Sequence, residues 1–515
     1  MIRPLTSISL AILVLIGVMG PVEARVWNLV GSQQPIEAEF VGLTATGVVL
    51  KGANGVSKEF PHEKFTFEDQ RYILSLAPTV GPAPTAEGAE KSKVKSVATL
   101  TNQSVKLEAE TELHITGEGD PISGSSFSFM SPDGWLFFDN IPPSVVIEKF
   151  LKQMRVYGRG ANLGTNVRIT QYGQGSVVIP HASDFPAMAI FPDKSFGGDP
   201  ASLKSYVKYN HKNMKGAVGS FRLKRGYMAT IAKEENGTGP SKNYVAQDQD
   251  LEIDTMPAGL DKGVGFVRIF PWRWTSKKGI GGAIWKDLNC GWFYDWNIGA
   301  QSSPDIEYVA IKHKRYWPGL DQDWKEKGIN HLLGYNEPNG KDQANMSVGD
   351  ALASWPDLLG TGLRLGSPAP TDGGLGWLYE FMDKADAAGL RVDFVALHYY
   401  RAINDPNDAK GAANQMYQFI KGVHDRTKRP IWITEWNNGA NWTTAPDPNP
   451  KQQEAAIAAM IKMLDETPFV ERYAPFNWVE DCRQLVGKNG DLTGAGEVFR
   501  EKVSPVFFTQ PKSGK

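Results

Sequence analysis

Two glutamates, Glu337 and Glu435, each follow a short apolar run of the sequence. Glu337 follows LLGYN at 332–336, and Glu435 follows IWIT at 431–434. A strand that is apolar for four or five residues and then ends in a carboxylate is typical of a barrel strand that brings the side chain to an open rim. Two carboxyl groups at one rim can cleave a glycosidic bond, one as an acid and the other as a nucleophile or base. The pair therefore predicts glycosidase chemistry.

The C-terminal half of the chain, 263–505, alternates apolar runs with segments of helical spacing. Helical spacing is clearest at 375–385 and 455–463. Eight such units predict a (β/α)₈ TIM barrel, which usually takes ~250 residues. In this count Glu337 ends the fourth strand and Glu435 the seventh, across the barrel from each other. The predicted strands are 265–270, 289–294, 306–311, 331–335, 364–368, 392–398, 431–434 and 472–478.

Three motifs of this half carry a family resemblance: GYNEPN at 334–339, VDFVALHYY at 392–400 and PIWITEW at 430–436. In order and spacing they resemble glycoside hydrolase family 128, a clan A family of fungal and bacterial endo-β-1,3-glucanases. The resemblance covers about 263–505. It implies a retaining hydrolase in which Glu337 is the general acid/base and Glu435 is the nucleophile.

The resemblance also implies residues that bind the substrate. Asn336 is expected to hydrogen-bond the sugar 2-hydroxyl, and His398 and Tyr400 are expected to contact the sugar or orient Glu435. Asn336 could instead cap the following helix, and His398 could be a buried structural histidine. The aromatic residues near strand ends are expected to stack on glucosyl rings or to pack in the core. These are Trp292, Tyr294, Trp296, Trp317, Trp436 and Trp478.

The third predicted strand departs from the family pattern. It reads VAIKHK at 309–314, where a run like Pro-Met-Leu-Trp is usual. One wall of the substrate site is therefore expected to differ, and the preference among β-glucans stays open.

The rest of the chain predicts further domains. Residues 25–76 contain short strand-like runs between turn residues, which predict a small β-barrel. They resemble the SLA homology domain, an SH3-like interaction module, and its ligand cannot be inferred. Residues 77–96, rich in Pro, Ala, Gly and Lys, predict a linker. Residues 97–262 predict a β-rich, sandwich-like accessory domain, and 506–515 are expected to form a tail.

The first 24 residues predict a signal peptide. Arg3 precedes an apolar stretch at 8–18 and small residues at 22–24, so a secreted or periplasmic protein is expected. The apolar stretch is too short to span a membrane. The only cysteines, Cys290 and Cys482, are not a disulfide framework, and a bond between them stays open.

Charge and composition limit the partners. The chain has 55 basic and 57 acidic residues in 515, so no basic surface for nucleic acid is expected. No His/Asp/Glu cluster has ligand spacing, so the sequence predicts neither metal nor cofactor. An uncharged polysaccharide, a β-glucan, is the expected substrate.

The predicted function is a secreted, retaining endo-β-1,3-glucanase. The alternatives are another clan A specificity for mannan, β-1,4-glucan or mixed-linkage glucan, a transglycosylase, or a glycan-binding surface protein without turnover. The presence of both Glu337 and Glu435 argues against the last.

Overall fold

The computed structural model describes residues 24–508 apart from 28, 30–33, 44–46, 62–64, 66–68, 70–92, 182–185, 215–216 and 262. The chain divides into two compact units, 1–91 and 92–515. The predicted signal peptide except residue 24, most of the predicted linker and residues 509–515 lie outside the described residues. Both Cys290 and Cys482 are free thiols.

The first unit is a small antiparallel β structure. Each strand pairs antiparallel with the next along the chain. Alternate residues of the third strand, Val48 and Leu50, pack with Trp27, Ala38 and Phe65 in its core. The strands are β1 (Arg25–Trp27), β2 (Ile36–Leu43), β3 (Gly47–Gly52) and β4 (Ser57–Pro61).

Residues 93–180 form two sheets between which the chain alternates. Strands β5, β7 and β9 pair parallel in one sheet, and β6, β8 and β10 pair parallel in the other. The strands are β5 (Lys93–Val97), β6 (Ser104–Leu107), β7 (Thr111–Ile115), β8 (Ser126–Phe129), β9 (Trp135–Phe138), β10 (Met154–Val156), β11 (Arg159–Gly160), β12 (Val167–Tyr172) and β13 (Gly175–Pro180). Strand β5 corrects the predicted linker, whose last residues pair with β7.

A short helical segment connects β9 to β10. It consists of α1 (Pro143–Val145), a π-helical turn (Val146–Phe150) and a 3₁₀ turn (Leu151–Gln153). This segment contributes Val146 and Phe150 to the core between the two sheets.

Residues 188–271 form two antiparallel four-stranded sheets around a second core. One has the order β15-β14-β17-β20 and the other β16-β21-β18-β19. The elements are β14 (Met188–Phe191), a 3₁₀ turn (Lys194–Phe196), β15 (Ala201–Leu203), β16 (Lys208–Tyr209), α2 (His211–Met214), β17 (Ser220–Leu223), β18 (Tyr227–Ala232), β19 (Ser241–Ala246), β20 (Leu251–Ile253) and β21 (Phe266–Pro271). The strand predicted at 265–270 is β21, and it pairs antiparallel with β16 and β18. It therefore belongs to the preceding β-rich region.

The remaining strands pair parallel in three sheets. They are β22 (Gly279–Gly281), β23 (Trp292–Tyr294), β24 (Glu307–Tyr308), β25 (Ala310–Ile311), β26 (His331–Leu333), β27 (Arg364–Leu365), β28 (Val395–Tyr399), β29 (Ile431–Trp436) and β30 (Val470–Pro475). Only Val309 separates β24 from β25. A parallel bridge from Gly366 to Phe394 joins the sheet of β27 to the sheet of β28. A second parallel bridge, from Lys278 to Tyr473, joins β30 to the residue before β22, the first strand of the series.

Helices are fewer than the prediction of eight strand–helix units requires. Between β22 and β26 the described residues contain only the four-residue α3, because Gly282, Gly291, Gly299 and Pro304 in these connections disfavour helix. No described helix is both long and apolar enough to cross a membrane. The helices are α3 (Trp324–Lys327), α4 (Val348–Leu359), α5 (Leu375–Ala387), α6 (Ala409–Thr427), α7 (Pro450–Glu466) and α8 (Gly494–Glu501), with a 3₁₀ turn at Asp481–Arg483.

Candidate active site

The ends of β26 and β29 place Glu337 and Glu435 in one cleft. Glu435 is the penultimate residue of β29. Glu337 follows β26, where its backbone N–H donates to the carbonyl of Ala369 at 2.7 Å. Its φ is 40°, in the left-handed region that side chains disfavour and that is often found at functional sites.

His398, from β28, lies between the two carboxylates. Its Nδ1 is 2.9 Å from Oε1 of Glu337, and its Nε2 is 3.5 Å from Oε1 of Glu435. One oxygen of each glutamate and one imidazole nitrogen all lie within 4.8 Å of one another. Such a short separation suits direct attack by one carboxylate, whereas a water-mediated reaction needs roughly 6.5–9.5 Å.

Three aromatic side chains donate hydrogen bonds to Glu435. Tyr400 Oη donates to Oε2 at 2.6 Å, and Trp296 Nε1 donates to Oε1 at 2.7 Å. Tyr294 Oη shares its one proton between Oε1, at 3.2 Å, and the carbonyl of Thr434, at 3.0 Å. Burial and the charge of Glu435 raise the pKa values of Tyr294 and Tyr400 well above the usual range. Both phenols therefore remain donors, and donors of this kind stabilise an ionised carboxylate.

The spacing of Glu337, His398 and Glu435 would also suit a metal ion, and the sequence analysis did not identify this cluster. Both oxygens of Glu435 already accept hydrogen bonds from neutral aromatic donors. These donors stabilise its negative charge without a metal ion, and we assign no metal to the cluster.

The cleft around the two glutamates has a volume of about 630 Å³. Two of its tryptophans, Trp442 and Trp478, are 60% and 50% exposed, so their ring faces are available for stacking on a sugar. The cleft is lined by Trp296, His313, Asn336, Glu337, Gln343, Thr371, Asp372, Tyr400, Glu435, Trp442, Phe476 and Trp478.

Asn336 lines the cleft beside Glu337 and does not cap the next helix. Its Nδ2 donates to Oε1 of Gln343 at 3.2 Å, and its buried Oδ1 has no hydrogen-bond partner among the described residues. Ser347 caps the N-terminus of α4 instead. An oxygen without a partner at a cleft wall is suited to accept a hydrogen bond from a ligand hydroxyl.

Two predicted aromatic residues lie in the core and not in the cleft. Trp292 and Trp436 are fully buried. Trp292 donates to the carbonyl of Lys277 at 3.0 Å, and Trp436 packs against Tyr473. Trp436 faces away from the cleft because it directly follows Glu435, and neighbouring residues of a strand point to opposite sides. Trp292 lies on the same side of β23 as Tyr294 but nearer the start of the strand, and packs with Tyr294 in the core.

The other predicted aromatic residues have different surroundings. Tyr294 is fully buried and contacts Glu435, whereas Trp296, Tyr400 and Trp478 line the cleft. Trp317 is 46% exposed and lies edge-on to His313, with a centroid distance of 5.6 Å.

Several residues of the cleft were not predicted from the sequence, among them Trp442, Phe476 and Asp372. Trp442 lies in the segment that follows β29, and its ring meets Tyr400 edge-on at 5.0 Å. The only sequence signal for it is its place after a strand that carries a glutamate, since loops at such strand ends form the rim.

The chain is similar to one known family and to one curated protein. Residues 272–499 match the family model described as glycosyl hydrolase catalytic core. The chain is 27% identical over 223 residues to alkali-sensitive linkage protein 1 of Schizosaccharomyces pombe. That match covers 40% of this chain and 39% of the yeast protein, so the chain spans less than half of this curated relative.

Two solved structures are also similar. One is a subgroup I endo-β-1,3-glucanase of glycoside hydrolase family 128 from Amycolatopsis mediterranei, a point variant in complex with laminaripentaose. It is 32% identical, the match covers 44% of this chain and 99% of that chain, and the TM-score is 0.40. The other is a family 128 oligosaccharide-binding protein from Trichoderma gamsii, 22% identical, covering 44% and 92% of the two chains with a TM-score of 0.34.

Proposed function

We propose that residues 272–499, which match the glycosyl hydrolase catalytic core, are a catalytic domain of glycoside hydrolase family 128, and that the chain is a secreted, retaining endo-β-1,3-glucanase. The observation that carries this proposal is the pair Glu337 and Glu435, with one oxygen of each within 4.8 Å in a cleft with exposed tryptophans. The A. mediterranei enzyme, described as an endo-β-1,3-glucanase, supports the choice of β-1,3-glucan. We further propose that the parallel strands form a (β/α)₈ barrel preceded by an SH3-like module and β-rich accessory regions.

In the first step a carboxylate oxygen of Glu435 attacks the anomeric carbon of the glucosyl unit. The bond from that carbon to the glycosidic oxygen breaks, and the proton of Glu337 passes to the departing oxygen. Glu435 is then an ester and Glu337 a carboxylate. The donors on Glu435 hold its oxygens in place before attack, which lowers the cost of orientation in the transition state.

In the second step water attacks the same carbon and Glu435 leaves. Glu337 accepts a proton from that water, so both glutamates return to their starting protonation states. Asn336 supplies its Oδ1 to a sugar hydroxyl next to the reacting carbon. Trp296, Trp442 and Trp478 offer ring faces to glucosyl units along the cleft.

The experiment that tests this proposal is a product profile of the mature protein. Laminarin, curdlan, barley glucan, carboxymethyl-cellulose and mannan are incubated with the unsubstituted protein, Glu435→Gln and Glu380→Gln. Glu380, an exposed residue of α5 that pairs with Lys384, is the matched control. We expect oligosaccharides from laminarin and curdlan alone, with Glu380→Gln active and Glu435→Gln inactive but folded.

Each other outcome has a defined meaning. Cleavage of mannan alone or of barley glucan alone would show that the enzyme has another clan A specificity and is not a β-1,3-glucanase. Glucan binding without cleavage by the unsubstituted protein favours a glycan-binding role. NMR of the first products should show the β-anomer, and an initial α-anomer would refute the double displacement.

A further inference from the structure

A bulge between two neighbouring strands determines the position of His398. The parallel register of β28 and β29 runs from Leu397 opposite Ile433 directly to His398 opposite Glu435, so Thr434 is skipped. A bulge of this kind re-aims the side chains that follow it. Here it places the imidazole beside the carboxylate and not beside the threonine.

The imidazole is enclosed by negative groups. Its side chain is 1% exposed, and its two nitrogens face Glu337 and Glu435. The third charged group nearby is Asp372, which pairs with Arg401 at 3.6 Å. A neutral imidazole with its proton on Nδ1 presents a lone pair to Glu435, and one with its proton on Nε2 presents a lone pair to Glu337, which suits only the protonated form of that glutamate. An imidazolium presents an N–H to each glutamate, whichever of the two carries the negative charge.

Burial lowers the pKa of His398, but the charge of Glu435 and the hydrogen bond and charge of Glu337 outweigh it. The net effect is a pKa above the usual value for histidine. The surrounding charges therefore favour the imidazolium, the form of His398 that presents an N–H to each glutamate.

We propose, on the basis of the proposed function, that His398 is a positioning residue that, as an imidazolium, hydrogen-bonds Glu337 and forms an ion pair with Glu435, and thereby couples their ionisation. The double displacement moves a negative charge from Glu435, which becomes an ester, to Glu337, which has lost its proton. The negative charge therefore moves from the glutamate that faces Nε2 of His398 to the glutamate that faces Nδ1. A single cation fixed between the glutamates thus neutralises the anion in the resting enzyme and in the covalent intermediate.

The first test measures His398 without depending on activity. The protein is labelled with ¹⁵N-histidine, and the imidazole resonances are followed by NMR as pH changes, with His398→Gln identifying the signal. We expect His398 to titrate above the usual range for histidine and to titrate at lower pH in both Glu337→Gln and Glu435→Gln. Titration that neither substitution changes, or a neutral imidazole throughout, would overturn the proposal.

The second test is the pH profile of kcat/KM on laminarin. Because the substitution removes a cation from the cleft, both limbs of the profile should move to higher pH in His398→Gln, by about one unit. His424→Gln is the control, because His424 lies on α6, bonds the carbonyl of Arg429 and does not line the cleft. A lower rate with unmoved limbs would mean that His398 only supports the structure.

The two tests separate the two ideas. If the unsubstituted protein does not cleave laminarin, the proposed function fails while the NMR titration still reports on His398. If laminarin is cleaved but neither the titration nor the limbs shift, the coupling fails and the proposed function stands.

Discussion

The two glutamates differ in their surroundings, although their strands end alike. Glu435 accepts hydrogen bonds from Tyr294, Trp296 and Tyr400 and is 6% exposed. Glu337 faces His398, and its side chain is 16% exposed. An environment rich in donors suits a group that must stay ionised, whereas contact with the cleft suits a group that exchanges a proton with substrate and water. The roles we propose follow from this difference.

Glu337→Gln should affect substrates according to their leaving groups. A general acid contributes about 10²–10⁴ in rate when the leaving oxygen needs a proton. The variant should therefore lose turnover of laminarin by that order, while cleavage of an activated aryl β-glucoside oligomer should lose far less in the first step. Burst kinetics of aryl release measure that step. Glu435→Gln, which should lose both activities, is the comparison, and equal losses on both substrates by Glu337→Gln would contradict the acid role.

The sequence predicted the two glutamates because each directly follows an apolar run. It could not separate Trp292 and Trp436, which are core residues, from Trp296 and Trp478, which line the cleft. For Trp436, a displacement of one position changes the outcome, because neighbouring residues of a strand face opposite sides. Trp292 and Trp296 differ in their distance from the end of β23, and the exact strand bounds cannot be read from the sequence. Trp442 had no local signal, because its place depends on how its loop folds back onto Tyr400.

At the scale of the elements, the run at 265–270 was assigned to the wrong sheet. An apolar run of this length looks the same in an antiparallel sheet and in a parallel barrel, and β21 pairs with β16 and β18. The strand that takes its place in the parallel series, Gly279–Gly281, is too short and too rich in glycine to be predicted. The later strands were easier to predict, since helices of eight or more residues follow them.

Two buried lysines before β22 cap the C-terminal ends of two helices. Lys277 Nζ donates to the carbonyls of Leu464, Asp465 and Thr467 at 3.2, 2.8 and 2.9 Å, at the end of α7. Lys278 Nζ does the same at the end of α8. The last carbonyls of a helix have no partner within it, and a cation there also favours the helix dipole. The capping lysines therefore attach two helices to the first strand of the parallel series.

Replacing Lys277 by Met should lower the free energy of unfolding by about 1–3 kcal/mol, because buried carbonyls lose their donor.

The same substitution should change how stability depends on pH, because burial lowers the pKa of Lys277 to about 8. Between pH 8 and the unfolded value of about 10.4, the unfolded chain binds more protons, so this lysine makes stability rise with pH, and Lys277→Met lacks that rise. Urea unfolding at pH 7 and pH 9.5 measures both effects. Lys462→Met, at an exposed position of α7, is the control, and an unchanged midpoint in Lys277→Met would refute the capping role.

At the scale of the whole molecule, the β-rich regions and the parallel strands form one unit, 92–515. Gln171 of β12 donates to the carbonyl of Gly291 at 3.0 Å, and Arg268 of β21 donates to the carbonyl of Thr361 at 2.7 Å. Tyr172 forms a bridge with Trp274. Alternation of apolar residues predicted the strands of these regions, but long-range pairings decided which strands meet, and no local pattern encodes them. The β-rich regions thus form hydrogen bonds with the part of the chain that contains the parallel strands and the cleft.

Two truncations test this division of the chain. A protein of residues 92–515 keeps every contact of its unit, so its kcat/KM on soluble laminarin should equal that of the mature protein. A protein of residues 272–515 loses the sheet that contains β21 together with the contacts of Gln171 and Arg268, and exposes the apolar surface they cover. It should be insoluble or lack a cooperative thermal transition, which light scattering and calorimetry measure. A soluble, active 272–515 protein would show that these residues fold and act without the preceding β-rich regions.

Insoluble curdlan provides a second comparison for the 92–515 protein. A loss of its activity on curdlan alone would assign residues 25–76 to attachment at an insoluble surface and leave catalysis to the second unit.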